Sequence, residues 1–145
     1  MNYRTHIGEI LTLAGLVPFI GLSLLLAISQ PIMSQALTLN LFQHYGFLIA
    51  VFIAGSHWGL HLSQTNDWRF ILPVSSNIAT LVLWVALSIL DVHGRLWILL
   101  LSFLGLLMVD RGLYNDQIIK QSYFVIRVWA TLVVSVCIIT VKVSL

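Results

Sequence analysis

Hydrophobic residues in this chain form five long runs separated by short polar connections. Each run holds about the 20 residues that a helix needs to cross a bilayer. Arg4 followed by an apolar run also fits a signal peptide, but the run is longer than usual and Gln30-Pro31 is a poor cleavage site. The pattern therefore predicts an all-α fold, an integral membrane bundle of five transmembrane helices in a single domain over residues 1–145. The expected spans are 7–28, 37–62, 70–90, 96–114 and 123–143.

Composition supports a membrane protein. Of 145 residues, 59% are hydrophobic and 8% are charged, and the mean hydropathy is +1.00. Soluble domains carry about 25% charged residues. The net charge of +2 comes from scattered basic residues, so no nucleic-acid partner is expected, and the single cysteine, Cys137, has no intramolecular disulfide partner. The predicted partners are the lipid bilayer and either another membrane protein or further copies of this chain.

The distribution of lysine and arginine predicts the orientation. Arg95 and Lys142 lie on the side of the membrane opposite to the N-terminus. The basic residues on the N-terminal side, or just inside it, are Arg4, Arg69, Arg111, Lys120 and Arg127. This excess predicts a bacterial cytoplasmic (inner) membrane protein with its N-terminus in the cytoplasm and its C-terminus outside.

The second predicted helix carries small residues on two faces. An arc of roughly 80° contains Gly46, Ala50, Ala54, His57 and His61. The opposite face carries the G-x-x-x-G pair Gly55 and Gly59. Because small residues let helix backbones approach closely, both faces are predicted to pack against other helices.

Three polar residues are expected at one depth near the cytoplasmic interface. Measured from the outer ends of their helices at about 1.5 Å per residue, Asp110, Arg127 and His57 lie roughly 21, 22 and 24 Å along the span. An unpaired charge at that depth is expensive, so we predict an Asp110–Arg127 ion pair with His57 nearby. His61 and Glu9 are further candidates for this polar cluster. The alternative is that Arg127 extends to the lipid headgroups.

Two helices carry a line of polar or aromatic residues at helical spacing. The third helix has Asn77, Thr80, Trp84 and Ser88, and the fifth has Tyr123, Arg127, Thr131 and Ser135. Such lines form hydrogen bonds between helices or border a small cavity that faces the cytoplasm. Both interpretations remain open.

Paired histidines raise the question of a metal or haem. His57 and His61 have the spacing that puts two imidazoles on one helix face, but there is no HExxH motif and their helix has no carboxylate. Only tertiary packing could add Glu9 or Asp110. Haem ligation stays open for His6 with His57 or His61, and for His44 with His93. We predict no metal site and no cofactor.

Acyl-transfer chemistry is not expected either. Ser56, His57 and Asp110 supply the residue types of a catalytic triad. Adjacent helical residues point about 100° apart, which places Ser56 and His57 poorly as nucleophile and base. With no Walker or Rossmann glycine motif, no catalytic residue is predicted.

Six sequence features, in this order and spacing, resemble a family of small membrane proteins, the domain of unknown function 3429 family, which includes mitochondrial transmembrane protein 69. They are LAGLVPF (Leu13–Phe19), Tyr45, AGSHWG (Ala54–Gly59), Pro73, Asp110, and the Tyr123-x-x-x-Arg127-x-x-x-Thr131 series. Many members have paired glycines where this chain has Ala54-Gly55, a change that keeps the residues small. The resemblance implies an integral membrane protein and assigns no activity to any residue.

Two functions from different classes follow from these features. A small chain without a catalytic constellation favours a non-enzymatic helper that binds or stabilises a membrane partner or a lipid. The alternative is a small transporter or permeation protein with a polar cavity that faces the cytoplasm.

Overall fold

The computed structural model describes residues 7–28 and 33–145, except for the side chains of Ile7 and Glu9. Its described residues form helices and no strand. The helices are α1 (Ile7–Ala14), α2 (Leu16–Ala27), α3 (Gln35–His61), α4 (Trp68–Ile89), α5 (Val92–Asn115) and α6 (Gln121–Val143). Five helical segments, with α1 and α2 counted as one, are long and apolar enough to cross a bilayer. The chain is therefore a multi-pass membrane protein, and the predicted all-α fold is confirmed.

The first predicted span, 7–28, is divided into two helices close to Pro18, which lies inside it. A turn at Gly15 separates α1 from α2, three residues before Pro18. Because proline has no backbone N–H, Pro18 cannot donate to the carbonyl of Ala14, which is where the helix is interrupted. The Tyr45 hydroxyl donates to the Gly15 carbonyl at 2.9 Å and so fixes the turn against α3.

The two most buried spans, α3 and α6, do not pack against each other over the described residues. Both pack against α2 and α5, which lie between them, and α4 covers the other side of α3 and α5. The short α1 contacts α6 and α2 and makes no comparable contact with α3. This arrangement leaves space between α1, α3 and α6.

One small-residue face of α3 packs as the sequence predicts. Ala50 and Ala54 are fully buried, and a Cβ added to Gly46 would lie 2.5 Å from the Leu99 Cδ2 atom of α5. The Ser76 hydroxyl of α4 donates to the Ala54 carbonyl at 2.6 Å. Small side chains at these positions are what allow α4 and α5 to approach the α3 backbone.

The prediction of close packing on the opposite face of α3 is wrong for a single chain. Gly55 and Gly59 are exposed, and a Cβ added to either would meet no described atom within 4 Å. The neighbours of α3 are α2, α4 and α5, all of which lie on its other sides. Large exposed residues on the bundle surface, such as Phe52, Trp84 and Met108, are apolar, as lipid contact requires.

Candidate functional site

A buried polar cluster joins α3, α5 and α6, and it consists of His57, Asp110 and Arg127. The Arg127 Nε–H donates to Asp110 Oδ2 at 2.8 Å, and His57 Nε2 lies 2.9 Å from Asp110 Oδ1. The three residues are 2%, 1% and 5% exposed. The predicted Asp110–Arg127 ion pair is thus present, with His57 on the other carboxylate oxygen.

The hydrogen bond to Asp110 occupies one ring nitrogen of His57 and leaves the other for a further hydrogen bond. An ionised carboxylate only accepts hydrogen bonds, so His57 Nε2 must carry the proton that it donates to Oδ1. The other ring nitrogen, Nδ1, is buried and has no hydrogen-bond partner among the described residues. The same holds for Arg127 Nη2 and for the hydroxyl of Thr131, one turn further along α6.

His61, which the sequence places with this cluster, is not part of it. Its Nδ1 bonds to the carbonyl of Trp58 in its own helix, and its ring lies against the Trp58 ring with centroids 4.9 Å apart. The side chain of Glu9 lies outside the described residues, so its predicted place in the cluster remains a prediction.

Two adjoining cavities lie beside the cluster. The first is about 410 Å³ and is lined by His57, Asp110 and Lys120, among others. The second is about 350 Å³ and includes Arg127 in its wall. The two cavities share four lining residues, Gly8, Thr12, Ser56 and Tyr123, and therefore lie next to each other.

The order of the lining residues along each helix places the first cavity at the end of the bundle and the second deeper. On α6 and its N-cap, Lys120 and Ser122 line the first cavity, whereas Ala130 and Val134 line the second. α3 runs in the opposite direction, so its C-terminal end lies at the first cavity. Leu60, near that end, lines the first cavity, and Ile49, about three turns deeper, lines the second. Both walls are mainly apolar, and the polar share of the wall decreases from the helix ends to the deeper cavity. The apolar part of the second cavity includes Leu16, Phe19, Ile53, Phe103 and Val134.

The polar lines on the third and fifth spans have different outcomes. In α6, Tyr123, Arg127 and Thr131 border the second cavity. In α4, the hydroxyl of Thr80 bonds to the Ser76 carbonyl of its own helix. The side chains of Asn77 and Ser88 likewise bond within α4, and Trp84 is exposed. The cavity interpretation fits these three residues of α6, whereas Ser135, the fourth, bonds to the Thr131 carbonyl of its own helix. Among the described residues, no interhelical hydrogen bond joins the α4 line.

Several site residues have no clear signal in the sequence. Thr12 and Ser56 border both cavities, yet their hydroxyls bond to carbonyls of their own helices at 2.8 and 2.7 Å. Lys120 looks like an ordinary loop lysine but lies at the N-terminus of α6 beside the first cavity. Outside the site, Gln43 lines neither cavity, is fully buried, and donates from its amide to the Val92 carbonyl at 3.1 Å.

The structure shows where the residues considered for an acyl-transfer triad, a metal site and a haem site lie. Ser56 bonds to the Ile53 carbonyl and not to His57, so the three triad residue types do not form a hydrogen-bonded relay. In the described part of the chain, no three histidine, cysteine, aspartate or glutamate side chains are grouped as metal ligands. His44 bonds within its own helix, and His6 lies outside the described residues.

Comparison with curated proteins and with solved structures gives no match. A family model does match, over residues 6–143, and that range includes every helix and the whole cluster. The chain belongs to the family described as Protein of unknown function (DUF3429).

Proposed function

We propose that this protein is a non-enzymatic helper of the bacterial inner membrane that binds an amphiphilic lipid in its two adjoining cavities. The observation that carries the proposal is the change along the cavity wall. Both walls are mainly apolar, but the wall at the helix ends, where Asp110 and Lys120 lie, is the more polar of the two. A lipid has the same arrangement along its length, with a polar headgroup followed by an apolar chain.

The dimensions agree with a lipid that lies in one leaflet. The wall extends along α6 from Lys120 to Val134, which at about 1.5 Å per residue is about 21 Å. The hydrocarbon core of a bilayer is about 30 Å thick, so one leaflet contributes about 15 Å. The cavities can therefore hold one acyl chain and its headgroup, and their volumes lie in the range of small-molecule sites.

A lipid can reach the site from the side of the bundle. Leu11 and Phe52 border the second cavity on opposite sides, and they are 64% and 74% exposed. Since α1 does not pack against α3, the gap between these helices faces the bilayer. Lateral entry would avoid passing the apolar chain through water.

The proposal includes an orientation. Arg69, Arg111 and Lys120 lie at the bundle end that carries the cluster, and Arg95 and Lys142 lie toward the other end. By the positive-inside rule, the cluster end faces the cytoplasm, and the N-terminus is inside and the C-terminus outside. The ligand would then come from the cytoplasmic leaflet.

A bulky residue at the junction of the cavities tests lipid binding. Ser56 borders both cavities and is exposed, so Ser56→Trp should fill the junction without displacing a packed neighbour. The matched control is Ser88→Trp, because Ser88 is also exposed and also bonds to a carbonyl of its own helix. Lipids extracted from each protein after purification in mild detergent would be measured by mass spectrometry.

We expect Ser56→Trp to lose most of a tightly bound lipid that wild type and Ser88→Trp retain. Equal lipid content in all three proteins would contradict the proposal. Other proteins that co-purify with wild type would identify a membrane partner of the helper.

Permeation is the second function that a specific observation favours. Ionisable groups inside a membrane commonly mark a solute or proton pathway, and the cavity wall contains His57 and Asp110. This alternative predicts that liposomes containing the protein show solute or proton flux that Ser56→Trp blocks. Lipid binding without any such flux would favour the helper.

A further inference from the structure

We propose that the bound lipid carries a terminal acid group, either a carboxyl or a phosphate monoester, whose oxygens contact Lys120 and Arg127 beside His57. This inference rests on the proposed lipid site and adds the chemical class of the headgroup.

The first argument is the number of hydrogen-bond donors left over in the cluster. Arg127 uses its Nε–H for Asp110, and its Nη2 group is buried without a partner among the described residues. A guanidinium can only donate hydrogen bonds, so this group requires an acceptor. Arg127 borders the second cavity, which makes a ligand oxygen the natural acceptor.

The second argument is charge. Among the described side chains of the cluster and cavity walls, Arg127 and Lys120 are positive and Asp110 is negative. Both oxygens of Asp110 already accept a hydrogen bond, from Arg127 and from His57. Within this described set, which does not include the Glu9 side chain, one positive charge is in excess, and a headgroup with one negative charge balances it.

The N-terminus of α6 adds to the positive potential at the mouth of the site. Lys120 is the N-cap residue of this 23-residue helix, and its side chain makes no capping hydrogen bond. Ser122 and Tyr123, in that turn, border the first cavity. Unpaired backbone N–H groups and the helix dipole favour an anion at such a position.

His57 explains why the anion would be an acid with an exchangeable proton. Its Nδ1 is buried without a partner in the described part of the chain, and His57 borders the first cavity. A neutral Nδ1 accepts an O–H from a carboxylic acid or a phosphate monoester. A protonated Nδ1–H donates to the ionised form of the same group. A phosphate monoester fits either position of the shared proton and also balances the charge, because its monoanion keeps one O–H. A carboxyl balances the charge only as the carboxylate, which accepts from Lys120 and Arg127 but does not donate to Nδ1.

The test compares amphiphiles that share one chain and differ only in the headgroup. Purified protein would be titrated with oleic acid, oleoyl lysophosphatidic acid or oleyl alcohol, and binding would be followed by native mass spectrometry. We expect one or both acids to bind at least about tenfold more tightly than the alcohol, which is the effect of one charged hydrogen bond.

Lys120→Gln separates headgroup binding from the fold, because Lys120 is exposed. The matched control is Arg111→Gln, which removes one positive charge at the same end of the bundle from another exposed residue, one outside both cavity walls. We expect Lys120→Gln to weaken acid binding about tenfold and to leave alcohol binding unchanged. Arg111→Gln should bind all three amphiphiles as wild type does.

Each outcome decides the proposal. Tight binding of one acid alone supports it and identifies the source of the acid group. Equal binding of the acids and the alcohol, or equal losses in Lys120→Gln and Arg111→Gln, overturns the headgroup assignment. If none of the three binds while Ser56→Trp still removes a co-purified lipid, the headgroup assignment is overturned and the lipid site stands. If Ser56→Trp also changes nothing, both proposals fail.

Discussion

Replacing Asp110 should destabilise the bundle more than any other single change in the cluster. Asp110→Asn removes the negative charge between Arg127 and His57 and leaves the Arg127 charge buried without a counterion. An asparagine oxygen can accept from one of the two donors, but its NH2 group then faces the other donor. Breaking a buried ion pair by removing one partner costs about 3–5 kcal/mol of unfolding free energy.

The reciprocal change should cost less. In Arg127→Gln, Asp110 keeps the hydrogen bond from His57, so one oxygen stays satisfied. We expect a loss near the lower end of the same range, about 3 kcal/mol. The double variant leaves neither charge without its partner, so its loss should be smaller than the sum of the single losses by about 0.5–3 kcal/mol.

The assay is an equilibrium unfolding experiment in mixed micelles, with helix content as the signal. Arg111→Gln is the control, because Arg111 is adjacent to Asp110 in sequence but exposed, and a surface change is usually within about 0.5 kcal/mol of wild type. The four proteins of the cycle give the coupling energy between Asp110 and Arg127.

A coupling energy within about 0.3–0.5 kcal/mol of zero would refute the reasoning, since that is the level at which independent sites add. It would mean that the two residues do not depend on each other in the membrane. Arg127 would then interact with lipid headgroups, and the donor count that supports an acid ligand would no longer hold.

Two further predictions concern packing and orientation. Gly46→Leu should lower the free energy of unfolding by about 1–3 kcal/mol or more, because a Cβ at this position already lies 2.5 Å from a Leu99 side-chain atom. Gly55→Leu should leave the melting temperature unchanged, because a Cβ at Gly55 meets no described atom within 4 Å. Equal melting temperatures for these two variants would contradict the packing of α3. A reporter fused after Leu145 should be active only outside the cytoplasm, and cytoplasmic activity would reverse the proposed orientation.

The polar cluster could be predicted from sequence because depth in a bilayer follows from counting residues. Spans of similar length joined by short connections put Asp110, Arg127 and His57 at one level, and the cost of an isolated charge then favours their pairing. The same counting gives the five helices, since membrane-spanning segments must satisfy their backbone hydrogen bonds internally.

What the sequence does not determine is which face of a helix meets a neighbour. Gly55 and Gly59 resemble a packing motif, and His61 lies one turn from His57, but in a membrane protein both the lipid-facing and the packed faces are apolar. Periodicity then distinguishes the faces poorly. Hydrogen bonds within a helix also determine where a side chain lies. His61, for example, bonds to the carbonyl of Trp58 in its own helix and not to the cluster.

The position of Asp110 connects the stability of the bundle to the proposed binding site. Since α3 and α6 do not pack against each other over the described residues, the direct side-chain hydrogen bonds that connect them at this depth run from His57 through Asp110 to Arg127. The same link forms part of the cavity wall, so a substitution of Asp110 would alter the fold and the site together. Loss of ligand binding in Asp110→Asn would therefore not identify a ligand contact. Only exposed residues of the wall, such as Ser56 and Lys120, can distinguish binding from structure.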